Sequence, residues 1–431
     1  MSLRQSAAAL LAASLALAGC GSGDGGAPAG TAAVEADVQA PSRIDDWALP
    51  TMLPGSASPG LATTPGGELL LSWINSQPGR RHILQFSRYS PQMSRWLQAP
   101  ATIAVGSSMF VNWADVPHMA ATPDGALWVH WLQKNGDAPY AYDVVLTRSR
   151  DGGANWAEPV RPHDDHTRTE HGFVSMWAQG NSSLGIAWLD GRNTGAHGAA
   201  HDGPGASSGA MSLRAAVFDG ALESSVEVEI DARVCECCQT GVAATAEGAL
   251  LVYRGRSADE IRDIFATRFN GIAWSTPVRV HADDWTMPAC PVNGPAVAAL
   301  ENDVVVGWFT MDGEEPLLRI AHSADAGASF ADAVELDRGA AVQGRVAVAM
   351  DVRQAWILWL REEAGSQSLW LSRRSPDLAT EYERIAVSAV HGSGRATGFP
   401  QLALLGGTAY VAWTDVVDGS PRLRGKRIVR D

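Results

Sequence analysis

The sequence predicts an all-β protein, a β-propeller of four-stranded antiparallel blades. Three observations carry this reading: one strand motif recurs along the chain, it recurs at a nearly constant interval, and the composition supplies the turns between strands. The motif is a short apolar run ending in Trp, seen as Leu69-Leu70-Leu71-Ser72-Trp73, Leu127-Trp128-Val129-His130-Trp131 and Leu184-Gly185-Ile186-Ala187-Trp188. It returns as Val304-Val305-Val306-Gly307-Trp308, Ala355-Trp356-Ile357-Leu358-Trp359 and Ala409-Tyr410-Val411-Ala412-Trp413. One further copy, Leu250-Leu251-Val252-Tyr253-Arg254, ends in Arg instead. The end positions 73, 131, 188, 254, 308, 359 and 413 are separated by steps of 58, 57, 66, 54, 51 and 54. An interval of that size is one blade. Gly 44, Pro 23 and Trp 16 fit short aromatic-bearing strands between tight turns. Seven units of about 55 residues fill 45–431, so seven blades are favoured, with six as the alternative. The last unit has no clear fourth strand of its own, and the segment from Arg43 to Leu49 is predicted to close the ring.

The amino terminus carries an address. Arg4 precedes an apolar run from Ala7 to Ala18, followed by Gly19 and Cys20. A positive start, a short apolar stretch and small residues before a cut site describe a secretory signal, and the run is shorter than the roughly 20 residues that span a bilayer. Leu17-Ala18-Gly19-Cys20 resembles the bacterial lipobox, which implies cleavage after residue 19 and lipidation of Cys20. Residues 1–19 are then a signal peptide, 20–44 the lipidated Cys and a flexible Gly/Ala-rich linker, and 45–431 the propeller. Gly21 after the cysteine resembles the outer-membrane sorting class, so a lipid-anchored protein of the bacterial cell envelope is expected. With Lys+Arg 33 against Asp+Glu 47 the net charge is -14, which disfavours nucleic acid and leaves the lipid anchor as the only expected membrane contact. Lys134 and Lys426 are the only lysines, so nearly all positive charge is guanidinium, the group that grips carboxylates in a planar fork.

Two turns carry a further signature. Ser149-Arg150-Asp151-Gly152-Gly153-Ala154-Asn155-Trp156 fits Ser-x-Asp-x-Gly-x-x-Trp, and Ser323-Ala324-Asp325-Ala326-Gly327-Ala328-Ser329-Phe330 fits it with Phe. Ser and Asp can bond the hairpin backbone, Gly takes a positive φ, and the aromatic packs between sheets. This is the Asp box, and on it the chain resembles the sialidase-like propellers. These turns mark one face of the ring, so the loops entering the innermost strands and those joining second to third strands share the other face, the channel mouth.

The mouth collects unusual polar residues. Asp115, His118, Glu170, His171, Asn293, Arg345 and Arg395 fall in loops entering innermost strands; Tyr140, Tyr142, Asp190, Arg192, Arg254, Arg256 and Glu260 fall in second-to-third loops. Arg254, standing where the sister repeats have Trp, is either a ligand-binding group or the partner of Glu260 or Asp263. The resemblance implies that Arg192, Arg254, Arg345 and Arg395 hold a substrate carboxylate, with Asn293 and His171 beside them. It also implies a Tyr nucleophile activated by a Glu, with an Asp as acid/base. Tyr140 and Tyr142 are the tyrosines placed at the mouth, and Glu170, Asp190 and Glu260 the acids. The segment Arg43-Ile44-Asp45 is only a poor match to the early Arg-Ile-Pro of sialidases.

Four further cysteines form a separate clue: Cys235, Cys237, Cys238 and Cys290. In an exported protein an even number favours disulfides, and a bridge between the fourth and fifth blades is expected, with connectivity open among three pairings. No cofactor is called for. A soft-metal site of copper or zinc remains open, drawing on the thiols, on His118, His171, His197 and His201, and on His163-Asp164-Asp165-His166. Recognition, and hydrolysis if the Tyr chemistry is present, of an anionic, sialic-acid-type glycan is the leading function. A non-catalytic lipoprotein holding a metal or a protein partner is the alternative.

Overall fold

A computed structural model describes residues 40–194, apart from 78 and 80, and residues 209–430. The signal segment, Cys20, His197 and His201 lie outside the described residues. The chain forms a ring of seven antiparallel sheets, a seven-bladed propeller. The innermost strands are Ser56–Thr63, Met119–Ala121, His171–Gln179, Gly241–Thr245, Ala296–Leu300, Val342–Met350 and Gln401–Leu405. Each pairs with a neighbour carrying the recurrent motif. In the second blade the outermost position is reduced to a single bridge, Leu146 to Val160. In the seventh it is Ser42–Asp46, which pairs antiparallel with Ser420–Arg430, so the two ends of the ring are joined by hydrogen bonds.

The core is a series of apolar layers between adjacent blades. The six motif tryptophans are all buried, because each sits on a strand covered on both faces. Three of them hydrogen-bond a carboxylate through the indole N–H: Trp188 to Asp190 at 2.8 Å, Trp308 to Asp283 at 2.7 Å and Trp359 to Asp337 at 2.7 Å. In these three blades the carboxylate gives the buried indole N–H its acceptor.

Both Asp boxes have the expected local bonding. Ser149 Oγ donates to Asp151 at 2.8 Å and accepts from the Gly153 N–H at 2.8 Å, while the Asn155 N–H donates to Asp151 at 2.9 Å. Ser323, Asp325, Gly327 and Ser329 repeat the pattern. Gly153 is obligatory: its φ is +93° and a Cβ there would lie 2.2 Å from the Phe86 ring.

The innermost strands of blades one, three and six each carry a β-bulge near the mouth, centred on a non-glycine residue of positive φ: Ser58, Phe173 and Arg345. The backbone N–H freed there donates across to a neighbouring blade: Ser58 to Thr414 at 3.1 Å, Phe173 to Asp115 at 2.8 Å and Arg345 to Asn293 at 2.9 Å. Bulges re-aim side chains at a strand end, and these three link blades at the rim of the channel.

Candidate functional site

The channel mouth contains a cavity of about 180 Å³ bordered by Trp113, Tyr140, Glu170, Glu236, Arg395 and the Cys237–Cys290 pair. Its most unusual chemistry is on the side of blades two and three. Tyr142 opens the third strand of blade two, Glu170 ends the loop into blade three, and a parallel bridge holds the two segments together. The Tyr142 hydroxyl donates to Glu170 Oε1 at 2.7 Å, and Asp115 lies against both.

Burial dominates the protonation of this group. It pushes Glu170 up to about 7, with the bond from Tyr142 and the nearby His171 only partly opposing it. Asp115 is pushed up to about 8 by burial, reinforced by the charge of Glu170 and offset by bonds from the Phe173 N–H and Tyr142. Burial and the two acids together hold the Tyr142 phenol well above its ordinary value. At neutral pH the cluster therefore retains protons, and Glu170, which borders the cavity, exchanges its proton close to neutrality.

The opposite side is built from guanidinium groups with partners already in place. Arg254 is 1% exposed. It donates to the carbonyls of Asn293 at 2.8 and 3.0 Å, Arg262 at 2.6 Å and Phe309 at 2.6 Å, and it stacks on Trp285 at 5.1 Å. It pairs with neither Glu260 nor Asp263. Glu260 is bonded by Arg256 and Arg262, and Asp263 by Arg279. Arg345 donates to Thr397 Oγ1 at 2.9 Å and to the carbonyls of Gly394 and Gly398, and burial lowers it to about 10. Asn293 accepts the Arg345 N–H and donates to the Gln343 carbonyl.

Arg192 is held by Asp190, Glu227 and Asp165. Asp190 also accepts the Trp188 indole and the Arg192 N–H; burial opposes its charge, but these bonds and His171 keep its carboxyl below the ordinary value. His171 points away from the channel, toward Asp165 at 3.0 Å. Arg395 differs from the other three arginines: it is exposed, borders the cavity and lies 5.7 Å over the Trp113 ring, with no carboxylate paired to it among the described residues. The structure thus brings Tyr140, Glu170 and Arg395 to one cavity, with Tyr142 buried behind Glu170, and holds Arg192, Arg254, Arg345, Asp190 and Glu260 in their own networks.

Cys237 and Cys290 lie at disulfide distance, with Cα atoms 6.1 Å apart, joining the loops into blades four and five. Cys235 and Cys238 are free and buried, their sulfurs 2.7 Å apart. Burial raises the Cys235 thiol, but the bond from Cys238 and the guanidiniums of Arg262 and Arg254 outweigh it and lower its pKa. Arg262 Nη1 lies 3.3 Å from that sulfur and 2.6 Å from Glu236. Trp113 and Glu236 carry no sequence signal that singles them out. Asp115 does: an acid in an apolar loop stretch, Trp113-Ala114-Asp115-Val116, has few ways to stay solvated.

No family model matches the chain, and no curated protein matches it. Solved structures do resemble it in fold. The phage phi92 endosialidase superposes with a TM-score of 0.51 at 9% identity, covering 91% of this chain and 70% of that one. The polysaccharide lyase Uly1 gives 0.50 at 9% identity, covering 89% and 92%. A Dyadobacter fermentans protein of unknown function gives 0.49 at 13% identity, covering 90% and 99%. At these identities the likeness establishes the propeller, and the chemistry must be argued from the residues.

Proposed function

We propose that the channel mouth binds an anionic, sialic-acid-type glycan and processes it by proton transfer, with Glu170 as the acid/base. The observation that carries this reading is the 2.7 Å bond between Tyr142 and Glu170 at the edge of the cavity. The phenol, buried behind Glu170, holds a carboxyl that titrates near 7 at the cavity edge, where it can take a proton from an attacking group or deliver one to a departing oxygen. Asp115 is the second protonated acid, and Arg395 beside Trp113 supplies the charge for an anionic sugar stacked on the indole. A cavity of about 180 Å³ suits a single terminal sugar ring. That the fold also occurs in an endosialidase and a polysaccharide lyase agrees with a glycan ligand.

The decisive assay is fluorophore release from an α-sialoside by wild type, Glu170→Gln and Tyr142→Phe. Glu170→Gln keeps the shape and removes the titration, so a fall of about 10²–10⁴-fold in kcat is expected. A folded wild type without turnover, or variants as active as wild type, would refute the proposed chemistry.

A second reading rests on one observation: the sulfurs of Cys235, Cys237 and Cys238 lie within 4.8 Å of one another. Under it the mouth holds a soft metal when those thiols are reduced. Thiol titration of the denatured, metal-stripped protein tests it, since three or more free thiols are required. Under either reading we propose that Cys20 is lipidated and tethers the propeller to the bacterial cell envelope, at the outer membrane. Metabolic labelling with a fatty acid should mark wild type and not Cys20→Ser.

A further inference from the structure

The strand that places Tyr142 against Glu170 places Asp143 on its other side, because consecutive residues of an extended chain point to opposite faces. There Asp143 and His163 line the floor of an open cleft of about 740 Å³ that also holds Asn135, Glu158, Asp164 and His166. His163 is buried and stacks face to face on His171, with ring centroids 3.8 Å apart and planes 3° from parallel. Its Nδ1 lies 3.4 Å from Asp165 Oδ2. A carboxylate at Nδ1 fixes the proton there and leaves the lone pair on Nε2.

That Nε2 is buried and has no hydrogen-bond partner among the described residues. It faces Asp143 Oδ1 across 3.9 Å. The other Asp143 oxygen is held by Arg161 at 2.8 Å, and Oδ1 accepts from the Asn135 amide, whose own carbonyl oxygen is a second buried atom without a partner. Two lone pairs facing each other repel, and 3.9 Å is beyond hydrogen-bond reach. A cation with bonds of roughly 2.0–2.2 Å to nitrogen and oxygen spans that gap at a wide angle. The nearby Asp165, His171 and Asp190 also bring their donor atoms together, but there His171 Nε2 already has a partner, Asp165 Oδ2 at 3.0 Å, and Arg192 bridges both acids.

We propose that Asp143, His163 and the Asn135 carbonyl hold a divalent cation of the zinc class at the floor of this cleft. Asp165 acts as the positioning residue for His163, and water from the cleft completes the coordination. One imidazole with carboxylate and amide oxygens suits zinc, cobalt or nickel rather than calcium. The cation joins the loop that ends at Glu170 to the strand that begins at Tyr142. The inference does not depend on what the channel mouth binds.

Calorimetric titration of chelator-stripped protein with zinc chloride tests it, with Cys235→Ser/Cys238→Ser alongside because the thiols are another donor cluster. Wild type and the thiol variant should each bind zinc at this site, His163→Ala should lose that equivalent, and Asp165→Asn should bind it about 10–100-fold more weakly. Thermal melts supply the folding control: stripped His163→Ala should unfold within about 2 °C of stripped wild type, and saturating zinc should raise Tm by about 2–5 °C in wild type and in the thiol variant but not in His163→Ala. If His163→Ala melts much lower, His163→Gln takes its place in the titration. Zinc binding that persists unchanged in the His163 variant, or a stripped wild type that binds none, overturns the proposal and leaves a bridging water as the partner of Nε2. Binding that vanishes only in the thiol variant overturns it equally, since the metal then belongs to the sulfurs.

Discussion

The two sides of the channel mouth handle buried charge in opposite ways. On the side of blades two and three, Asp115, Tyr142 and Glu170 are buried with no guanidinium among the described residues paired to them, and the acids respond by keeping their protons. On the side of blades four to six, Arg254 and Arg345 are buried with hydrogen-bond acceptors already in place, mostly backbone carbonyls. A group that holds a proton near neutrality is available for chemistry. A guanidinium bonded to carbonyls of neighbouring loops is a joint between blades. The residue types alone suggest a mouth of arginines serving a ligand, but the acids are the reactive half and most of the arginines are structural.

Replacing Arg254 with Met probes that division most strongly. The change keeps volume and removes every donor to the carbonyls of Asn293, Arg262 and Phe309, leaving them buried and unpaired. A loss of about 3–5 kcal/mol in urea unfolding is expected. A variant that is nearly as stable as wild type and instead loses ligand affinity would break the comparison, because Arg254 would then belong to a binding site.

What could be read in the sequence divides along the same physical line. The Asp boxes were legible because their bonds run between residues no more than four apart, as from Asp151 to Asn155. The blade period was legible because each Trp strand repeats one local environment. The mouth was only partly so. Tyr142 meets Glu170 across 28 residues and Asp115 meets Phe173 across 58, and no local pattern specifies such meetings. The Arg254 substitution was visible as a broken repeat, but its partners are main-chain carbonyls, which have no residue type and leave no mark in a sequence. His163 was visible only as a polar loop residue, because its burial comes from stacking on His171 in the next strand.

The pH dependence of stability separates the two faces of the ring. Asp115 and Glu170 have folded values of about 8 and about 7, above their ordinary 3.8 and 4.5. The fold favours their protonated forms, so their contribution is present below about pH 4 and is lost as pH rises through 7 to 8. The Asp boxes have the opposite sign. Asp151 is lowered to about 2 by the Asn155 backbone and side chain and by Ser149. Asp325 reaches about 2 because bonds from Ser329 and Ser323 outweigh burial. Their contribution is present above about pH 4 and is lost as pH falls through 2. Thermal melts from pH 5 to 8 should show Tm falling more steeply in wild type than in Asp115→Asn, by about 2–4 °C across the range. Parallel curves would mean that Asp115 is ionised throughout and that the mouth does not store protons.

Arg395 offers the finest test, because it is the one arginine of the four that crosses the division. It shares the Trp113 ring with Arg345, at 5.7 Å and 5.0 Å, yet it is exposed while Arg345 is buried. Arg395→Ala should leave Tm within about 1 °C of wild type, since no buried acceptor loses its donor. Binding of a sialyl-glycan, followed by calorimetry, should weaken by about tenfold at low salt, the order expected for one charge-assisted bond at a solvent-facing site. The difference between variant and wild type should shrink as ionic strength rises from about 0.01 to 1 M, where the screening length falls from about 30 to 3 Å. A salt-independent loss would instead mean that Arg395 acts through its packing on Trp113. The mouth would then recognise its ligand by the indole and the protonated acids alone, with no guanidinium taking part.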